Sequence, residues 1–158
     1  MKQLALIAIA LLMLSACEQQ QPDQIQWQLP LQAPDDPHGS NDGAAVPEWA
    51  STLQGEAEVV WLQKSTTKVL TTKLVMGSSA MVQNWEIHLL GLASGLRVHN
   101  KAFLNDENVD NPAAFVEVSR NGKSMYRGWL YKKFPELFGM DDPEWKIWLK
   151  DITLRPAS

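Results

Sequence analysis

From Gln54 onward the chain alternates apolar and polar residues in short runs. EAEVVWLQK, residues 56–64, and KVLTTKLVMG, residues 68–77, are rich in β-branched residues and separated by the turn-forming Ser65-Thr66-Thr67. In MVQNWEIHLLG, Trp85, Ile87 and Leu89 share one face of a strand, and Asn84, Glu86 and His88 share the other. LRVHNKAF sets Arg97, His99 and Lys101 opposite Leu96 and Val98, and LNDENVDNP reads as a polar loop. Short strands at this spacing, with no strong helical period, predict an all-β domain. The expected fold is a single antiparallel β-sandwich or partly open barrel of about seven or eight strands.

The sharpest local signal is SRNGKSMYRGW, residues 119–129. Asn-Gly between alternating strands predicts a two-residue hairpin, because a type I′ turn needs positive φ at both central residues. With Asn121 and Gly122 in those places, Arg120 faces Lys123, Val118 faces Met125, Val116 faces Arg127 and Ala114 faces Trp129. Ala114, Val116, Val118, Met125 and Trp129 then form one core face, with Trp129 filling it. Arg127 lies among these apolar positions and is expected to snorkel to the edge or to pair with a carboxylate. The final segment is open to two readings. Asp142-Pro143-Glu144 resembles a helix start, with Trp145, Trp148, Leu149 and Ile152 at helical spacing. As a strand, Trp145, Ile147 and Leu149 alternate with Lys146, Trp148 and Lys150, and the β setting favours this second reading.

The N-terminal third has a different character. Residues 4–14, LALIAIALLML, are unbroken apolar sequence after a positive start at Lys2. As a helix this run would be about 16 Å long, roughly half the hydrocarbon core of a bilayer, so it reads as a signal peptide over residues 1–16. Leu14-Ser15-Ala16-Cys17 resembles the bacterial lipoprotein cleavage signal, which implies lipidation of Cys17 by palmitate-type acyl chains. Cys17 is the one Cys of the chain, which excludes an intramolecular disulfide. The resemblance to Gram-negative lipoproteins, with Glu18 next to the Cys, implies a periplasm-facing anchor in the outer membrane. Residues 17–53 are rich in Gln, Pro and Asp and read as a disordered tether. Trp27 and Trp49 interrupt it and are expected to dock on the domain or on a partner. The tether holds Glu18, Asp23, Asp35, Asp36, Asp42 and Glu48 and no Lys or Arg, whereas residues 54–158 carry thirteen bases against twelve acids. The overall charge of −4 is therefore a property of the tether, and neither part has the basic footprint of a nucleic-acid binder.

Candidate chemistry is sparse. The chain lacks a Walker A loop, Gly-x-Ser-x-Gly and His-Glu-x-x-His, so no catalytic residue and no cofactor is expected. His88, Glu86 and His99 would make a metal site only if their strands paired and further ligands joined them, and a solvated surface is the expected reading. Asn105–Asp110 lacks the Gly and the spaced acids of a calcium loop. Tryptophan stands out, with seven in 158 residues. Trp61, Trp85, Trp129, Trp145 and Trp148 lie in the β-domain, residues 54–158, and its core is not expected to hold them all. In a strand Trp145 and Trp148 point to opposite faces, so one of them, with Lys146 and Lys150, is the candidate interaction surface.

Asn111-Pro112, Phe115-Val116-Glu117-Val118, Gly122, Gly128-Trp129-Leu130, Phe134-Pro135, Pro143 and Trp148-Leu149 carry a family resemblance. The segment from about residue 56 to 155 resembles the small secreted bacterial proteins of domain-of-unknown-function family 2155. It is more weakly similar to periplasmic segments of cytochrome c-synthesis membrane proteins. Some relatives carry a Cys pair in this domain, and this chain has none there. The resemblance implies an all-β fold and a place in the cell envelope, and it implies no activity. Two functional expectations follow: a non-catalytic envelope lipoprotein binding a protein or glycan partner, or an accessory factor in cytochrome c or respiratory-complex maturation.

Overall fold

The computed structural model describes residues 45–136 and 139–156. Cys17 and Trp27, and with them the expected signal peptide and most of the expected tether, lie outside the described residues. A short helix, α1 (Glu48–Thr52), precedes nine strands: β1 (Gly55–Gln63), β2 (Lys68–Val75), β3 (Ser79–Val82), β4 (Trp85–Ala93), β5 (Leu96–His99), β6 (Ala102–Asn105), β7 (Ala113–Arg120), β8 (Lys123–Tyr131) and β9 (Trp145–Leu154). They form a three-stranded sheet in the order β2-β1-β9, a four-stranded sheet in the order β3-β4-β7-β8, and a β5-β6 ribbon. Every strand pairing is antiparallel. The fold is the expected all-β sandwich, with no closed barrel. The final segment is a strand, as the alternation of Trp145, Ile147 and Leu149 predicts.

The inner faces of the two larger sheets make the main core. Ala57, Val59 and Trp61 from β1 and Trp145, Ile147 and Leu149 from β9 meet Trp85, Ile87 and Leu89 from β4 and Ala114, Val116 and Val118 from β7. Trp61 is the hub of its aromatic part, tilted against Trp85 at 6.5 Å and edge-on to Trp145 at 6.2 Å. Asp142 begins β9 with an Asx turn rather than a helix. Its Oδ1 accepts from the N–H groups of Glu144 (2.9 Å) and Trp145 (3.0 Å).

The hairpin forms at Asn121 (φ 53°) and Gly122 (φ 75°), as a type I′ turn requires. Its register departs from simple alternation. Arg120 faces Lys123 and Ser119 faces Ser124, but Val118 faces Tyr126, so Met125 is the extra residue of a β-bulge. The expected pairs of Val118 with Met125, Val116 with Arg127 and Ala114 with Trp129 are therefore replaced. Val116 faces Gly128, Ala114 faces Leu130, and Phe115 faces Trp129. Met125 is left 43% exposed, while Tyr126 takes the core position and donates its hydroxyl to the Trp129 carbonyl at 2.9 Å. Arg127 faces Glu117 and bonds its Oε2 at 2.7 Å, the carboxylate pairing anticipated as one of its two options.

The bulge also moves Trp129 off the face of Ala114, Val116 and Val118. It is buried on the opposite side of its sheet, in a second cluster with Ala50, Ala93, Leu96, Ala113, Phe115 and Tyr131. Trp49 stacks on it with centroids 5.9 Å apart and rings inclined by 13°, and Phe115 meets it edge-on at 5.3 Å. Helix α1 thus covers the outer face of the four-stranded sheet. Gly91 admits it: a Cβ there would lie 3.0 Å from the Ala50 Cβ and 3.2 Å from a Val46 methyl. The uninterrupted apolar runs in β4 and β7 reflect this two-sided burial.

Candidate interaction surface

The alternation of β9 sorts its tryptophans. Trp145, Ile147 and Leu149 are buried between the sheets, while Lys146 and Trp148 are half-buried on the outer face of the three-stranded sheet. Trp148 stands opposite Val60 of β1, and Lys146 stands opposite Leu62. Of the five domain tryptophans, Trp61, Trp85, Trp129 and Trp145 are buried, and Trp148 is the one left at the surface.

Around it lies an open depression of about 310 Å³ lined by Leu62, Pro135, Glu136, Lys146 and Trp148. Leu62, Pro135 and Glu136 had no marker in the sequence as site residues. Leu62 could have been found by pairing β1 with β9, since it follows the core residue Trp61 and so takes the outer face. Pro135 and Glu136 come from the β8–β9 connection, whose path is set by tertiary packing. Gly139 helps to set that path. A Cβ on it would lie 2.4 Å from the Ile147 carbonyl, so only glycine lets residues 139–142 run along β9. There Ile147 N–H donates to the Met140 carbonyl at 2.9 Å.

Lys146 and Lys150 part company. A shift in the β1–β9 register places Asp151 opposite Glu58 and Leu149 opposite Val59, so Lys150 is bulged out. Its Nζ bonds Glu58 Oε1 at 3.0 Å. Lys146 stays beside Trp148 and has no ion-pair partner among the described residues. The depression therefore combines an indole, a leucine and a proline with one cation and the Glu136 carboxylate. Such a set suits van der Waals contact and hydrogen bonding, and no nucleophile with an adjacent base lines it.

A second hollow of about 350 Å³ lies elsewhere, lined by Trp85, Met125, Tyr126 and residues 139–142. Burial pushes the Tyr126 hydroxyl far above its ordinary value of 10.0, so it stays a neutral donor to Trp129. His88 bonds the Gly77 carbonyl at 3.1 Å through Nε2, and His99 belongs to the separate β5-β6 ribbon. No group of three or more His, Cys, Asp or Glu side chains placed to hold a metal occurs among the described residues. Arg97 reaches Asp106 at 3.4 Å, and the Asn108 backbone N–H holds that carboxyl below its usual range.

Fold and surface together define an all-β sandwich domain with an aromatic depression on the outer face of its three-stranded sheet. The chain belongs to the family described as "Uncharacterized protein conserved in bacteria (DUF2155)", whose model matches residues 57–152. That span runs from the third residue of β1 to near the end of β9, so it takes in both sheets and Trp148. No curated protein and no solved structure matches the chain.

Proposed function

We propose that this protein is a non-catalytic binding module of the bacterial envelope, lipid-anchored at Cys17 and facing the periplasm from the outer membrane. Its β-domain presents Trp148, Lys146 and Leu62 to a protein or glycan partner. The observation that carries the binding reading is that Trp148, of the five tryptophans in residues 54–158, is the one left half-buried at the surface. The four other domain tryptophans are buried, and Trp148 sits in an open depression where burial by a partner would be favourable. The anchoring reading rests on Leu14-Ser15-Ala16-Cys17.

Each half has its own experiment. Trp148→Ala should weaken capture of the envelope partner by about 2 kcal/mol or more, with little change in thermal stability. Loss of folding in that variant would place Trp148 in the core instead and sink the surface. Cys17→Ser should leave the chain uncleaved or soluble in the periplasm. Continued fractionation of that variant with outer-membrane lipid would show that anchoring comes from elsewhere.

A further inference from the structure

Four strands end the two larger sheets, and three of those edges are short or protected. β3 has four residues. β8 carries the Met125 bulge, and the Tyr126 hydroxyl occupies its Trp129 carbonyl. β9 is flanked by residues 139–142, with Asp142 N–H donating to the Trp145 carbonyl at 2.8 Å. Bulges and covering segments are devices that keep a sheet edge from pairing further.

β2 has neither a bulge nor a covering segment, and its edge charges are Lys68 and Lys73. Its eight residues pair with β1 in unbroken register and include no Pro. Among the described residues, no loop or other strand bonds the backbone of Lys68–Leu74 on the far side. Met76 N–H donates to the Gly55 carbonyl at 2.9 Å, which continues the antiparallel ladder. Even-numbered residues of β2 therefore turn their backbone groups to β1, and odd-numbered residues turn them outward. The outward set is Val69, Thr71, Lys73 and Val75, of which Val75 offers its N–H only, its carbonyl already accepting from the Ser78 N–H at 2.9 Å and the Ser78 hydroxyl at 2.6 Å. Its two valines are 57% and 47% exposed.

We propose that β2 is a self-association edge, on which two copies of this chain pair antiparallel about a twofold axis at Thr72. The strand is self-complementary in that register. Val69 stands opposite Val75 of the second copy, Leu70 opposite Leu74, Thr71 opposite Lys73, and Thr72 opposite itself. The exposed valines meet on the outer face, while on the inner face Leu70 adjoins a Leu74 already buried in its own core, and cross-strand apolar pairs stabilise a ladder. Registers that keep the same face outward differ in steps of two residues. One step sets Lys73 against Lys73, like charges directly opposed. The other sets Val69 against Lys73 and Leu70 against Thr72. In the Thr72-centred register Lys73 keeps Glu58 beside it across β1.

The result is one six-stranded sheet in the order β9-β1-β2-β2-β1-β9. Both Trp148 depressions lie on its outer face, roughly 24 Å apart across five strand spacings of about 4.8 Å. An edge contact of this kind falls in the small, reversible class of interfaces. The pairing is argued from β2 alone and stands whether or not Trp148 binds a partner.

The test is disulfide trapping of the purified full chain under a mild thiol oxidant. The twofold axis makes Thr72 a non-hydrogen-bonded pair, whose close Cα separation suits a disulfide. Thr72→Cys should yield a covalent dimer several-fold above both Thr71→Cys and the parent, all three carrying Cys17 as a common background. Adding Val75→Lys to the Thr72→Cys chain should return it to the parent level. A Thr72→Cys yield no higher than that of Thr71→Cys overturns the proposal. So does trapping to a different envelope protein in whole cells without homodimer, which would make β2 a foreign strand's edge. If Thr72→Cys does not fold, two differently tagged copies of the parent should co-purify and the Val75→Lys copies should not; parent copies that stay apart overturn it equally.

Discussion

Lys64 shows how single side chains tie the connection after β8 back to the sheet. Its Nζ pairs with the Asp141 carboxylate and donates to the Asp142 carbonyl at 2.6 Å, while its backbone N–H donates to the Glu144 carbonyl at 2.8 Å. The Lys64 hydrogen bond holds Asp141 below its ordinary value of 3.8. Lys132 does the same for Asp151 from 2.9 Å. A carboxylate with a depressed folded-state value stabilises the fold above its unfolded value, and that contribution is lost as pH falls through the folded one. Their small contribution to the melting temperature should therefore persist down to about pH 4 and fade below, as these two acids protonate. Lys64→Met should move Asp141 back up toward 3.8, as read by NMR titration of its carboxyl carbon. Both groups of the pair are exposed, so the loss at neutral pH should stay under about 1 kcal/mol. At this scale alternation tells which of Trp145 and Trp148 shares a face with Ile147 and Leu149. It could not tell that Lys150, still exposed, would turn from the Trp148 depression to Glu58, because a bulge costs one residue of register and carries no sequence marker here.

Among the elements, α1 and the β7–β8 hairpin illuminate each other. The Asn-Gly turn is legible because only a few residue types adopt positive φ easily. The pairing beyond it is not, because the Met125 bulge reverses the parity of every later residue on β8, and Trp129 changes side. Helix α1 is too short to show a period, and its seat on Gly91 is a matter of tertiary fit. The two are one fact, since the ring that left the main core is the ring Trp49 covers, and Trp49 docks on the domain, one of its two expected places. Trp129→Ala should cost about 3–5 kcal/mol in urea unfolding, as expected for emptying a large aromatic site. Trp49→Ala should cost less, being only half-buried. The double variant should fall short of the sum by about 0.5–1.5 kcal/mol, the coupling of a stacked aromatic pair. Strict additivity would show that the stacking contributes nothing beyond burial.

For the molecule as a whole, the strand-rich pattern and the absence of helical period made the all-β class readable, and the core faces of β4 and β9 followed from alternation. The sheet order did not, since nothing local says that β1 will choose β9. Gly55 and Leu154 mark one end of that ladder, and Arg155 bonds Glu56 across 99 residues of sequence at 2.5 Å. Contacts so far apart along the chain form late and slowly. This has a consequence in time. While the chain is being made, β1 and β2 can close as a hairpin, but Val60 and Leu62 face an empty lane until residues 145–154 arrive. The Trp148 depression is therefore among the last features to exist. A chain cut short, or caught half-made, has no such surface to offer, so a partner of the kind proposed would meet only finished molecules.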